Sequence, residues 1–157
     1  SMDAAVATQV YEFVPDIAAA LSEAFRVLKP GGQLAIIDTD WDSTVVRTND
    51  RVRMHKVLEG RREHFAHPDL PGRLPSLLSK AGFALTYAGG TPIVNTSMAE
   101  GTYSAEIIRS SAKQAAKREE LSPEIAAAWL AELEAFEARG EFFFSITRFL
   151  FIAQKPR

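Results

Sequence analysis

Three carboxylates and an indole stand together at Asp38-Thr39-Asp40-Trp41-Asp42, directly after the apolar run QLAIID of residues 33–38. Carboxylates this close repel one another when both are ionised, which lifts one pKa towards neutrality and makes a proton acceptor that works near pH 7. Asp40 is the candidate base. Trp41 offers an apolar wall for an acceptor molecule and a ring face that favours a cation. The plain reading is also open, because Asp-Thr-Asp after a strand is ordinary turn chemistry. A second polar group, Thr8-Gln9-Val10-Tyr11-Glu12, follows the small apolar residues 3–9. Gln9 and Glu12 there suit capping of a sheet edge and the following turn, and Tyr11 beside a Pro turn suits packing. Open α/β sheets bind ligands at the carboxyl ends of their parallel strands, so both groups are candidate sites.

The histidines are His55, His64 and His67, and Glu63-His64 followed by His67 and Asp69 superficially resembles a metal cluster. The H-E-x-x-H spacing is absent and no metal site is expected. His64 is a second candidate base and His67 a candidate substrate contact, set against the simpler reading of a polar helix face. Arg51, Arg53, Arg61 and Arg62 suit either an anionic substrate or a solvated face. Phenylalanines 142, 143, 144, 149 and 151 read as core, with an apolar acceptor pocket as the other option.

The elements that must position these groups follow from local pattern. Residues 3–9 (DAAVATQ) read as a strand buried on both faces of a parallel sheet. Pro15-Asp16 opens a helix whose Ile17, Leu21, Ala24 and Leu28 share a face, and Lys29-Pro30-Gly31-Gly32 stops it. Residues 33–38 then form an interior strand, completing a right-handed β-α-β unit. From 44 to 68 the charge density rises and Met54, Val57, Leu58 and Phe65 mark an inserted lid helix, with Asn49 or Asp50 as its cap. Leu74, Leu77, Leu78 and Ala81 make a further helical face closed by Gly82. Residues 83–94 read as a strand, with Gly89-Gly90 suggesting a bulge or turn inside it. Helices are expected over 100–117 and 123–139, the second with a stripe of Ile125, Trp129, Leu133 and Phe136. The last strand, 141–154 (EFFFSITRFLFIAQ), is expected to lie antiparallel in the same sheet.

At 157 residues, 46% hydrophobic and 24% charged, the chain can bury a core as one domain, with helical insertions at 44–69 and 99–140 on the lid or substrate side. A formal net charge of -2 leaves no basic surplus for phosphates, so a small molecule is a better expected partner than nucleic acid. There is no cysteine, which excludes disulfides and thiolate chemistry and suits a reducing cytoplasm. The longest apolar run is too short to span a bilayer, and no membrane partner is expected. The opening Ser1-Met2 reads as a cloning remnant, with Asp3 beginning the natural sequence in mid-strand.

Residues 25–32, Phe25-Arg26-Val27-Leu28-Lys29-Pro30-Gly31-Gly32, are similar to the R-V-L-K-P-G-G segment of small-molecule methyltransferases of the quinone-biosynthesis type. On that segment and on the order of elements, the whole chain resembles the C-terminal half of a class I S-adenosylmethionine-dependent methyltransferase. The resemblance implies a partial Rossmann-like α/β sheet made of the last four strands, with the final strand antiparallel between its two predecessors. It implies S-adenosylmethionine as cofactor, with Thr8, Gln9, Val10 and Tyr11 bordering its methionine end and Glu12, Trp41 and His67 facing the acceptor. The strand and Gly-rich loop that normally precede this unit are missing, so the nucleoside contacts are expected on a complementing N-terminal half. Two function classes follow: methyl transfer to a small acceptor, or a catalytically inactive module that binds an apolar ligand or forms a homo-oligomer through its open sheet edge. A nicotinamide enzyme fits less well, lacking any G-x-G-x-x-G.

Overall fold

The computed structural model describes residues 2–117 and 122–157. Four strands form one mixed sheet: β1 (Met2–Thr8), β2 (Leu28–Val46), β3 (Ala84–Asn95) and β4 (Phe144–Gln154), in the order β1-β2-β4-β3. The last strand thus returns between its two predecessors. β1 and β2 are parallel, joined by a 3-10 turn (Tyr11–Phe13) and by α1 (Ile17–Val27). β4 opposes β2: just beyond its end, Lys155 exchanges backbone hydrogen bonds with Gly31 and Gly32 near the start of β2, at 2.8 and 2.9 Å. The remaining helices are α2 (Arg51–Arg62), α3 (Leu70–Lys80), α4 (Tyr103–Ala115) and α5 (Pro123–Ala138).

α1 forms where the sequence predicts it. The Asp16 carboxylate accepts the Ala19 N–H at 2.9 Å, satisfying one orphan donor of the first turn, and Ile17, Leu21 and Ala24 are the buried face. The Lys29-Pro30-Gly31-Gly32 reversal is built differently from expectation. It lies inside the β1–β2 ladder as a bulge, because Met2 pairs with Leu28 and Ala4 with Gln33, so five residues of β2 advance against two of β1. Gly31 takes φ +81°, a conformation that glycine adopts without strain.

The chain divides into two compact units. The first comprises residues up to 42, 66–92 and 147–157. Its core joins Leu21 of α1, Leu34 and Ile36 of β2, Leu70, Leu74 and Leu78 of α3, and Phe151 and Ala153 of β4. Phe25 meets Phe83 edge-on at 5.1 Å between ring centres. The second unit, residues 43–65 and 93–146, packs α2, α4 and α5 around Val57, Ile108, Trp129, Leu133 and Phe136. Glu132 staples it, accepting from Thr48 Oγ1 at 2.9 Å, the Asn49 N–H at 2.7 Å and Arg53 Nη2 at 2.8 Å. Burial pushes the Glu132 carboxyl up, and these three donors together hold it below its ordinary value.

Three expectations are corrected. β1 is not buried on both faces: it has no fully buried residue, with Val6 71% and Met2 57% exposed, while its place at the open edge of the sheet, with β2 its one neighbour among the described residues, is as expected. The segment 38–42 is no turn, since β2 continues as strand to Val46. Gly89-Gly90 likewise makes no turn, since β3 runs through it as strand. A Cβ on Gly90 would stand 2.9 Å from Phe149 Cε1 and 3.1 Å from Thr147 Cγ2, so glycine there reflects close approach by β4. Among the described residues no helix is long and apolar enough to cross a membrane.

Candidate functional site

The carboxyl end of β1 lies beside residues 37–41 of β2 in the first unit, where the parallel pairing of the two strands stops. Thr8 pairs with Ile37, and the Gln9 N–H then bonds the Ile37 carbonyl at 2.7 Å. Gln9 has φ +54°, a left-handed conformation that costs a non-glycine residue about 1–3 kcal/mol and is held only where its surroundings compensate. They do so through its side chain. Gln9 Nε2 donates to Glu12 Oε1 at 3.1 Å, and its Oε1 accepts from Thr39 Oγ1 at 2.9 Å. Trp41 Nε1 donates to Glu12 Oε2 at 3.0 Å. Both Glu12 and Thr39 are buried, so these bonds form in a low-dielectric interior where they are stronger than in water. One network thereby fixes the end of β1, the 3-10 turn and residues 39–41 of β2.

The segment leading into α3 is laid on the same network. The His67 N–H bonds the Glu12 carbonyl at 3.0 Å, and the Trp41 N–H bonds the Pro68 carbonyl at 3.1 Å. His67 Nε2 lies 3.0 Å from the Val14 carbonyl, which can only accept, so Nε2 carries the hydrogen. Nδ1 then accepts from Arg73 Nη1 at 3.3 Å. Both ring nitrogens are used in positioning, which makes His67 a brace of the site.

Asp38 is the outlier. It is fully buried, and neither carboxylate oxygen has a partner within hydrogen-bonding geometry. Burial, then the neighbouring Glu12 charge, push its pKa up to about 7, and the Val10 and Glu12 backbone N–H groups pull weakly the other way. Burial and the Asp38 charge together raise Tyr11. Glu12 is raised by burial, against the pull of Trp41, Gln9, the Thr39 backbone and Arg148. A carboxyl that titrates near neutrality where the parallel pairing of β1 and β2 stops can hold or release a proton under physiological conditions.

A cavity of about 320 Å³ opens beside this network in the same unit, lined by Asp40, Pro71, Gly72, Ala88, Gly89, Gly90, Phe149 and Phe151. Its size falls in the range of small-molecule pockets, and its wall is mainly apolar with one carboxylate. Asp40 Oδ1 also accepts the Asp42 N–H at 3.1 Å. Phe149 and Phe151 therefore serve both the core and this cavity.

The structure brings Gln9, Tyr11, Glu12 and Trp41 together, and places Asp40 on the cavity. Thr8 and Val10 are exposed at the strand end. His64 belongs to the second unit, edge-on to Phe65 at 5.5 Å. Among the described residues no three His, Asp or Glu side chains group as a metal site. Asp38 was not singled out from its neighbours in the sequence, although a signal exists. Gly32, Leu34, Ile36 and Asp38 alternate along β2, and all four are buried, so strand periodicity alone aims Asp38 at the core.

Comparisons with known proteins agree with this architecture. Residues 1–36, covering β1, α1 and the start of β2, match the family described as Methyltransferase domain. A protein of Bacillus halodurans C-125 assigned as a methyltransferase aligns with 99% of this chain and 65% of its own at a TM-score of 0.58 and 18% identity. The YcgJ protein of Bacillus subtilis aligns with 100% of this chain and 65% of its own at 0.54 and 15%. In sequence, the chain is 30% identical over 158 residues to an uncharacterised 37.1 kDa protein in transposon TN4556 of Streptomyces fradiae, matching 98% of this chain and 44% of that protein. The chain thus spans less than half the length of this curated relative and about two thirds of the similar structures. The fold is the Rossmann-like α/β fold that these two structures share, as the resemblance at residues 25–32 implied.

Proposed function

We propose that the chain forms the C-terminal half of an S-adenosylmethionine-dependent methyltransferase domain acting on a small-molecule acceptor. The observation that carries this reading is the convergence of Gln9, Glu12, Asp38, Thr39 and Trp41 where β1 ends and its parallel pairing with β2 stops, on the side of an open α/β sheet where ligands bind. Glu12, Asp38, Asp40 and Asp42 give that end an acidic character that complements the cationic sulfonium of the cofactor. Thr8 to Tyr11 would border its methionine end, with Val10, 46% exposed, as an apolar rim. When bound, the cofactor supplies a methyl carbon open to in-line displacement, the C–S electrons leaving with sulfur as the acceptor's lone pair forms the new bond. Asp40, on the apolar cavity, would take the proton that the acceptor sheds, and Trp41, Glu12 and His67 would hold the wall in place.

The nucleoside contacts would come from a segment outside this sequence or from a second polypeptide, seated along β1. Exposed Met2 and Val6 on that edge support such pairing. The same edge, with the apolar cavity, favours a second reading, a non-catalytic module that binds an apolar ligand and assembles as a homo-oligomer. Calorimetry with S-adenosylhomocysteine separates the two. Saturable binding at or below millimolar ligand is expected for the methyltransferase half, and no heat at several millimolar would leave the module reading. Light scattering on the isolated chain is expected to give a dimer or larger, through β1 edges that pair in the absence of another neighbour. A clean monomer at high concentration would contradict the paired edge.

A further inference from the structure

We infer a separate binding site in the second unit, for a small apolar molecule carrying one carboxylate or similar anion. It does not depend on the methyl-transfer reading. A cavity of about 490 Å³ is lined by Thr44, Val45, Val46, Arg47, Thr48, Arg51, Met54 and Phe143. Its walls include two large apolar side chains left open to solvent, Val45 at 54% and Phe143 at 39% exposure. Apolar surface on a concave wall gains most from a ligand that covers it.

The charges around the cavity decide the sign of that ligand. Arg47 is committed, in an ion pair with Glu141 at 3.3 Å and over the Phe136 ring at 4.6 Å. Arg53 is neutralised by Glu132 at 2.8 Å. Asp50 spends its side chain capping α2, accepting the Arg53 N–H at 2.9 Å. Arg51 lies in the first turn of the helix and on the cavity wall, and its side chain has no hydrogen bond, ion pair or ring contact among the described residues. An uncommitted guanidinium beside exposed Val45 and Phe143 matches a carboxylate on an apolar body, through a bidentate charge-assisted pair.

Octanoate, octanol and octylammonium are the matched probes, titrated into the protein and followed by backbone amide shifts. Octanoate is expected to move residues 44–48, 51–54 and 143, binding about five- to tenfold more tightly than octanol. Octylammonium should bind no better than octanol. In Arg51→Gln the preference for octanoate over octanol should vanish while octanol binding persists, which also shows that the variant is folded. Equal binding of the three probes to the unaltered protein, or shifts located elsewhere, would overturn the site.

Discussion

Replacing Asp38 with asparagine is expected to stabilise the protein by about 2–4 kcal/mol at pH 8 and by much less at pH 5. The sign follows from the direction of the shift. A carboxyl held near 3.8 in the unfolded chain and raised to about 7 in the folded one binds its proton more tightly when folded. Its contribution is therefore fully present below pH 4, declines as pH rises, and is lost above about pH 7, where a buried, unpartnered charge must be carried. Asparagine keeps the shape and removes the charge, while the buried amide still lacks partners, which keeps the gain below the full value of the shift. Urea denaturation across pH 5–8 measures it: the unaltered protein should lose stability over that window and the variant should stay nearly level. Parallel pH dependences would mean that Asp38 is solvated or paired. A group so costly to the fold is expected where function uses it, here just past the last β1–β2 pair and beside Glu12 and Tyr11.

Glu12→Ala is expected to destabilise the protein by about 3 kcal/mol, and Glu12→Gln by less than about 1 kcal/mol. Alanine leaves the Trp41 indole N–H and the Gln9 amide without their acceptor in a buried setting. Glutamine can be absorbed. The indole only donates, so the new carbonyl oxygen must face Trp41 and the new NH₂ must face Gln9. Gln9 then rotates its amide to present oxygen, and its own NH₂ turns to Thr39, whose hydroxyl can accept as well as donate. The contrast between the two substitutions, read by chemical denaturation, distinguishes a hydrogen-bonded hub from a residue that merely fills space. Equal losses for both would contradict the network.

The parts of this structure that were legible in the sequence are those set by neighbours a few residues apart. Asp16, Ile17, Leu21 and Ala24 specify α1 through a cap and a 3.6-residue period. The resemblance at residues 25–32 carried the sheet order, including the final strand between its predecessors. Burial of β1 was misread because Ala-rich composition reports what a strand tolerates, while burial depends on a neighbour that the sheet lacks on that side. The extension of β2 through Asp38 to Asp42 was missed for a related reason: Asp-Thr-Asp has turn chemistry by itself, and the surrounding sheet overrides it. Within the site, Asp40 was named the candidate base and Asp38 was not singled out, although alternation with Leu34 and Ile36 marks Asp38 as the inward residue. The bond from Trp41 to Glu12 joins residues 29 apart and has no local signature. Nor does the left-handed Gln9, a conformation that a glycine would have announced.

The central claim is that the end of β1 and the adjoining residues 38–41 of β2 face the cofactor, and titration with S-adenosylmethionine read residue by residue from backbone amide shifts tests it most directly. The account predicts saturable shifts concentrated in residues 8–12 and 38–41, with smaller changes at 67–72 transmitted through His67 and Pro68. Shifts centred elsewhere in the chain, or none at millimolar cofactor, would contradict it.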